Sequence, residues 1–171
     1  MKKLLTTILV IVSGFSLLGC GGGVNLDRTF TIPDSNITFN VSSSWVQETK
    51  EYTSFTTYDF LADNVYIFVR YYPEKEIDAF EEQESRLNSY RDLFNCSDVM
   101  NISQEESVID GARVVIFEYT YTEPYIDVGI MFGRIAILTR SGSSVTIDYQ
   151  SQEDYYNPAY FEAVLQSLRW A

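Results

Sequence analysis

The chain has 171 residues, of which 46% are hydrophobic, 15% aromatic and 21% charged, a composition that excludes disorder as the main state and suits one compact domain with a short appendage. Acids outnumber bases 24 to 12 with no basic stripe, which excludes nucleic acid as a partner, because that affinity rests on Lys and Arg displacing phosphate counterions. Histidine is absent, so Ser-His-Asp, Cys-His and the usual zinc chemistries are excluded too.

Lys2 and Lys3 precede an apolar run of fifteen residues, Leu4 to Leu18, which ends in Leu17-Leu18-Gly19-Cys20. The run is short for a bilayer span, and Gly21-Gly22-Gly23 follows it with no basic flank, so residues 1–19 read as a removable export signal. The closing tetrapeptide resembles a bacterial lipobox. The resemblance implies cleavage before Cys20 and transfer of a diacylglyceryl group to its thiol. Each buried methylene of the acyl chains contributes ~0.8 kcal/mol, so lipid on Cys20 would hold the protein to the outward face of a membrane of the bacterial cell envelope. Residues 20–29 then read as the lipidated cysteine and a flexible linker, which keeps the domain within roughly 15–25 Å of the bilayer. The remainder carries 24 acids against ten bases, a charge that would steer a basic envelope protein as partner.

The folded domain is expected over residues 30–171. Phe30-Thr31-Ile32 and Ile37 to Val41 alternate around Pro33-Asp34-Ser35-Asn36 and predict a hairpin. Ser54 to Leu61 and Val65 to Tyr72, rich in aromatic and β-branched residues, predict a second. From Ile77 to Phe94 the period becomes helical, with Ile77, Phe80, Leu87, Tyr90 and Phe94 on one stripe and Asp78 and Glu81 placed as a capping box. Its acids, Glu76, Asp78, Glu81, Glu82 and Glu84, read as a solvated face with a Glu82 to Arg86 pair. Four strands follow as an antiparallel meander, at about Ile102 to Val108, Ala112 to Tyr121, Asp127 to Thr139 and Ser143 to Tyr149, with turns at Asp110-Gly111 and Ser141-Gly142. Gly129 and Gly133 suggest a bulge or bend within the third. Asn157 and Pro158 start a last helix whose stripe of Phe161, Val164, Leu165 and Leu168 packs on the sheet. Cys96 reads as a small buried apolar residue, not a reactive thiol.

The early hairpin, Trp45 after Val41-Ser42-Ser43-Ser44, two further strands, a helix, the Asp110-Gly111 turn with long strands after it and the terminal Phe161…Ser167-Leu168 helix together resemble the Mog1/PsbP-like family over about residues 30 to 170. Serines stand where that family commonly has a proline before the tryptophan. The resemblance implies an α+β domain in which an antiparallel sheet of about six to seven strands is sandwiched by helices. Members include photosystem accessory proteins, a Ran-binding protein and many bacterial lipoproteins; the resemblance carries no functional residue to this chain.

Neither GxGxxG, a Walker loop, SxxK nor GxSxG is present, and no metal or cofactor is expected. Tyrosines gather beside acids instead. Tyr119, Tyr121 and Tyr125 lie around one strand connection with Glu123 and Asp127, and Tyr155 and Tyr156 precede the last helix, so these five read as a candidate binding surface for a protein or a glycan. The leading expectation is a membrane-anchored, non-enzymatic module that binds or scaffolds an envelope component. Its competitors are an envelope enzyme acting on glycans through a carboxylate pair and the capture of a small ligand between helix and sheet.

Overall fold

The computed structural model describes residues 24–62, 64–124 and 129–171. Its elements run β1 (Arg28–Thr31), β2 (Ile37–Val41), β3 (Val46–Glu51), β4 (Thr56–Ala62), β5 (Val65–Tyr72), α1 (Ala79–Asp92), β6 (Ser97–Ile109), β7 (Ala112–Thr122), β8 (Ile130–Arg140), β9 (Ser143–Gln152), a short 3-10 turn at Glu153–Tyr155, α2 (Pro158–Ser167) and β10 (Arg169–Trp170). Seven strands form one antiparallel sheet in the order β3-β4-β5-β9-β8-β7-β6. A second, three-stranded sheet, β1-β2-β10, holds the first predicted hairpin and the end of the chain.

Local chemistry explains the connections. Asp110 and Gly111 both have positive φ (49° and 78°), as do Ser141 and Gly142 (52° and 84°), and two consecutive positive φ values are what a tight hairpin turn matching the strand twist requires. These turns set the register of β6 with β7 and of β8 with β9. Strand β3, a run of exposed Gln, Glu, Thr and Lys, lacks the apolar alternation that marks a strand in sequence and forms by pairing with β4 at the sheet edge. Strand β6, the opposite edge, is almost wholly exposed over its 13 residues; bulges interrupt its register after Ser97 and after Asn101, and Glu105 and Glu106 add charge, both devices that discourage edge-to-edge aggregation.

The two faces of the large sheet are covered differently. On one, α2 lays Phe161, Val164, Leu165 and Leu168, each at most 2% exposed, over β8 and β9 and against β2. The small sheet completes that cover, with Ile32, Ile37, Phe39 and Val41 joining Phe60, Ile67, Leu138 and Ile147 in one core. On the other face α1 covers β6 and β7 and a second core containing Val115, Phe117, Ile135 and Ile137. The packed region begins before residue 30. Leu26 rests on the first core, and Asp27 accepts hydrogen bonds from the Ser43 backbone (2.7 Å) and hydroxyl (2.8 Å), so residues 26–29 are held by the domain and are not linker.

Candidate functional site

The chemistry concentrates under and beside α1. Its start is fixed by Asp78, whose carboxylate accepts from the Phe80 and Glu81 amides at 2.9 and 3.0 Å, and by the Ile77 amide, which donates to Ser144 Oγ of β9 at 2.9 Å. Ala79, Gln83, Arg86 and Leu87 then face inward, so the stripe that meets the sheet is half polar. Strand β9 answers it. Val145, Ile147 and Tyr149 point to the α2 side, while Ser144, Thr146, Asp148 and Gln150 alternate toward α1, all of them buried.

Asp148 is the centre of this polar layer. Arg86 Nη1 donates to its carboxylate at 2.5 Å with both side chains almost fully buried, and Tyr119 donates to the second oxygen at 2.7 Å. Gln150 Nε2 donates to Asp148 (2.9 Å) and to the Tyr90 and Tyr119 hydroxyls (2.6 and 3.1 Å), and its carbonyl accepts from Tyr121 at 2.9 Å. The Tyr90 and Tyr121 rings stack at 4.3 Å. Burial, then the Asp148 charge, pushes the Tyr119 hydroxyl well above its ordinary pKa; burial also pushes Tyr90 up to about 12. Burial, the largest influence, would by itself lower the Arg86 pKa; the Asp148 carboxylate together with Tyr90, Tyr119 and Glu82 outweighs it, and the net shift is upward. Gln83, also buried, has no hydrogen-bond partner for either side-chain polar atom among the described residues.

Gly133 makes the layer possible. It sits opposite Tyr119 in the β7-β8 register, and a Cβ there would overlap the Tyr119 ring, so only glycine lets that ring lie flat across β8 and reach Asp148. The glycine is a cross-strand seat and not a bulge.

Beyond the helix, the same face of β3, β4 and β5 is open and forms a cleft of about 360 Å³. Its charges come in pairs: Lys50 with Asp59 at 3.1 Å, Arg70 with Glu82 at 3.3 Å, and Arg86 with Glu82 at 3.4 Å. The Asp59 hydrogen bond and charge raise the Lys50 pKa. Phe68, Tyr90, Phe94 and Gln150 also line an adjoining, more apolar recess of about 320 Å³ that reaches Tyr121, Met131 and Cys96. Among the described residues no three side chains of the metal-ligating types gather into a cation site. The expected Glu82 to Arg86 pair is present, yet Glu82 faces the cleft and is not part of a solvated face.

Of the five tyrosines expected to form one surface, the four that are described are not together. Tyr119 and Tyr121 are 0% and 5% exposed, and this corrects their reading as surface residues. The reason is strand alternation, which continues Val115 and Phe117 through Tyr119 and Tyr121 on the face beneath α1, where Asp148 and Gln150 satisfy their hydroxyls. Tyr156 is half-buried, donates to Glu118 at 2.9 Å, and lies against Phe132 and Tyr149. Tyr155 is exposed. Tyr125 and Cys20 lie outside the described residues. What the sequence reading missed is the polar side of β9, signalled by Ser144, Thr146, Asp148 and Gln150 at period two, and the Tyr119–Gly133 pairing. Cys96 is a buried free thiol whose pKa burial raises. No helix among the described residues is long and apolar enough to cross a membrane.

No family's sequence profile matches the chain, and no curated protein matches it. Solved structures do. The solution structure of cyanobacterial PsbP (CyanoP) from Synechocystis sp. PCC 6803 superposes with a TM-score of 0.65 at 16% identity, covering 90% of this chain and 99% of that one. A protein of unknown function from Pseudomonas aeruginosa, PA94, superposes with a TM-score of 0.45 at 10% identity over 82% of this chain and 94% of its own. Seven antiparallel strands with a helix on one face and a helix plus a small sheet on the other, matched over nearly the whole cyanobacterial chain, make this an α+β domain of PsbP-like fold.

Proposed function

We propose that the protein is a lipid-anchored, extracytoplasmic binding module without catalytic chemistry, which presents the groove beside α1 to another component of the bacterial envelope. The observation that carries this reading is the state of the groove's charged groups. Asp59 and Glu82, which line the groove, are engaged by Lys50, Arg70 and Arg86 at 3.1–3.4 Å, and Asp148, buried beneath it, is held by Arg86 at 2.5 Å. Carboxylate-pair hydrolysis needs one carboxyl group kept as an acid by an apolar setting and a second facing it across the substrate. Here the carboxylates are committed to cations. The groove offers a fixed, paired set of donors and acceptors with aromatic walls, which suits recognition better than turnover.

The lipobox-like Leu17-Leu18-Gly19-Cys20 supports anchoring at the outer face of a membrane. Because residues 26–29 are held by the domain, about five residues separate Cys20 from the packed region, which keeps the domain within a short reach of the bilayer. Cys20→Ser is expected to stay unprocessed or to leave the membrane fraction in a detergent partition. A Cys20→Ser protein still cleaved after Gly19 and still in the detergent phase overturns the anchor. Crosslinking of the native lipoprotein in its own envelope, followed by recovery, is expected to capture a partner; hydrolysis of envelope glycan by the purified protein overturns the non-enzymatic reading.

A further inference from the structure

The geometry points to a neutral, hydroxyl-rich oligosaccharide of the envelope as the ligand of the groove beside α1, an inference that rests on the reading of the protein as an envelope-facing binding module. Three features converge on this chemistry.

The first is the charge pairing. Lys50 with Asp59 and Arg70 with Glu82 line the groove as ion pairs already closed at 3.1 and 3.3 Å. A ligand with a net charge would have to open one of these pairs and leave its other member uncompensated. A sugar hydroxyl donates and accepts at once, so it can bond to the carboxylate and to the cation of the same pair while the pair stays closed, and bonds to ionised groups are the stronger kind.

The second is the aromatic rim. Tyr52 and Phe94 stand about half exposed, 53% and 55%, and Phe68 and Tyr90 lie between them. These rings are braced from behind: Tyr52 stacks on Phe55 at 4.7 Å, Arg70 lies over the Phe55 ring at 5.7 Å, and Tyr90 stacks on Tyr121. A pyranose ring has an apolar C–H face, and a braced aromatic surface is what it can cover without ordering a loose side chain.

The third is shape. The two recesses share Phe68, Tyr90, Phe94 and Gln150, so the depression runs across the strands from Lys50 on β3 past Asp59 and Phe68 to Gln150 on β9 and Met131 on β8. Four inter-strand steps make about 19 Å. That length fits a short oligomer. The apolar far end, around Met131 and Cys96, suits acetyl or methyl substituents on the sugar.

The test uses the full lipidated chain in a sugar-free zwitterionic detergent, titrated calorimetrically with the tetramer of β-1,4-linked N-acetylglucosamine as probe. The expected result is saturable binding that weakens about tenfold in Tyr52→Ala and again in Phe94→Ala with unchanged thermal midpoints, and that changes less than about twofold between low and high salt. No binding of the tetramer, or binding by either variant as tight as by the unaltered protein, overturns the inference, as does a steep salt dependence. A photo-crosslinker placed at Ser89, on the groove rim, separates this failure from that of the broader reading. Crosslinks to a protein in the native envelope with a silent titration overturn the glycan ligand and leave the binding module standing. No envelope crosslink from Ser89 at all removes the groove as the binding surface.

Discussion

The two faces of the seven-stranded sheet are built on opposite principles. The α2 face is dry: Phe161, Val164, Leu165 and Leu168 meet Val145, Ile147, Leu138 and the small sheet, and its energetics are those of apolar burial. The α1 face carries Arg86, Asp148, Tyr119, Gln150 and a Gln83 side chain without a partner among the described residues, between its helix and strands and beside an open groove. A buried ion pair is weak evidence for stability, because desolvation can consume what the charge attraction returns. One half of the molecule is held by apolar burial alone, and the other adds to an apolar core of its own a polar layer whose net return in stability is small. The groove lies on the second half.

The sharpest way to break that comparison is at Asp148. Asp148→Ala leaves the buried Arg86 with only the longer Glu82 contact at 3.4 Å and is expected to cost about 3–5 kcal/mol in a urea titration. Replacing both, as Arg86→Met with Asp148→Leu, is expected to recover most of that loss, since apolar substitutes of similar volume remove both desolvation costs together. A double variant as unstable as Asp148→Ala would mean that the polar layer is itself a principal source of stability.

On the dry face the expectation is simpler. Leu165→Ala, at 2% exposure, is expected to cost about 2–5 kcal/mol through lost burial and a residual cavity. Glu162→Ala on the same helix removes a pair with Arg134 that is 40% exposed on the glutamate side, and a change below about 1 kcal/mol is expected. Equal losses for the two would show that α2 is not held by its apolar stripe.

The same contrast decides what could be read from the sequence. The α2 stripe, the cap at Asn157, both glycine-containing turns and the meander are legible because each depends on local chemistry and on apolar periodicity. The small sheet is not legible: β10 is two residues, Arg169 and Trp170, whose pairing with Thr38 and Ile37 depends on where the chain end arrives. Strand β3 shows no apolar period either. For the site, Glu82 and Arg86 could be paired from their spacing, but the inward placement of Arg86 could not, because a basic residue on a helix reads as solvated until a buried carboxylate on a strand 62 positions away is known. Tyr119 and Tyr121 read as surface for a related reason. Their hydroxyls are satisfied by Asp148 and Gln150, partners that only the tertiary fold brings near.

Gly133 offers a smaller and more local perturbation. Gly133→Ala places a methyl group against the Tyr119 ring, which must tilt away from Asp148, and overpacking of this kind is expected to cost about 1–3 kcal/mol. Combined with Tyr119→Ala, the extra methyl group meets no ring, so the two losses should be clearly less than additive. Strict additivity in denaturant titrations would mean that the glycine serves β8 for some reason other than seating the tyrosine.

The last effect is nil at neutral pH and grows with alkali; it comes from the tyrosine hydroxyls. Burial raises Tyr90 to about 12 and holds Tyr119 and Tyr121 above their ordinary value of 10.0, with the Asp148 charge acting in the same direction on all three. A tyrosine whose pKa is higher in the folded than in the unfolded chain holds its proton more tightly when folded. Its contribution is therefore complete below about pH 10 and is lost as pH rises from there toward the folded value, by up to about 1.4 kcal/mol per pH unit for each hydroxyl. The thermal midpoint is expected to be flat from neutral pH to about 9 and to fall between 10 and 12, with tyrosinate absorbance from the buried rings rising only as the protein unfolds. Tyr119→Phe should make that alkaline fall shallower, whereas Tyr155→Phe, exposed at the 3-10 turn, should leave it unchanged. Equal shallowing by both substitutions would show that the alkaline loss belongs to the net charge of the whole chain and not to the polar layer under α1.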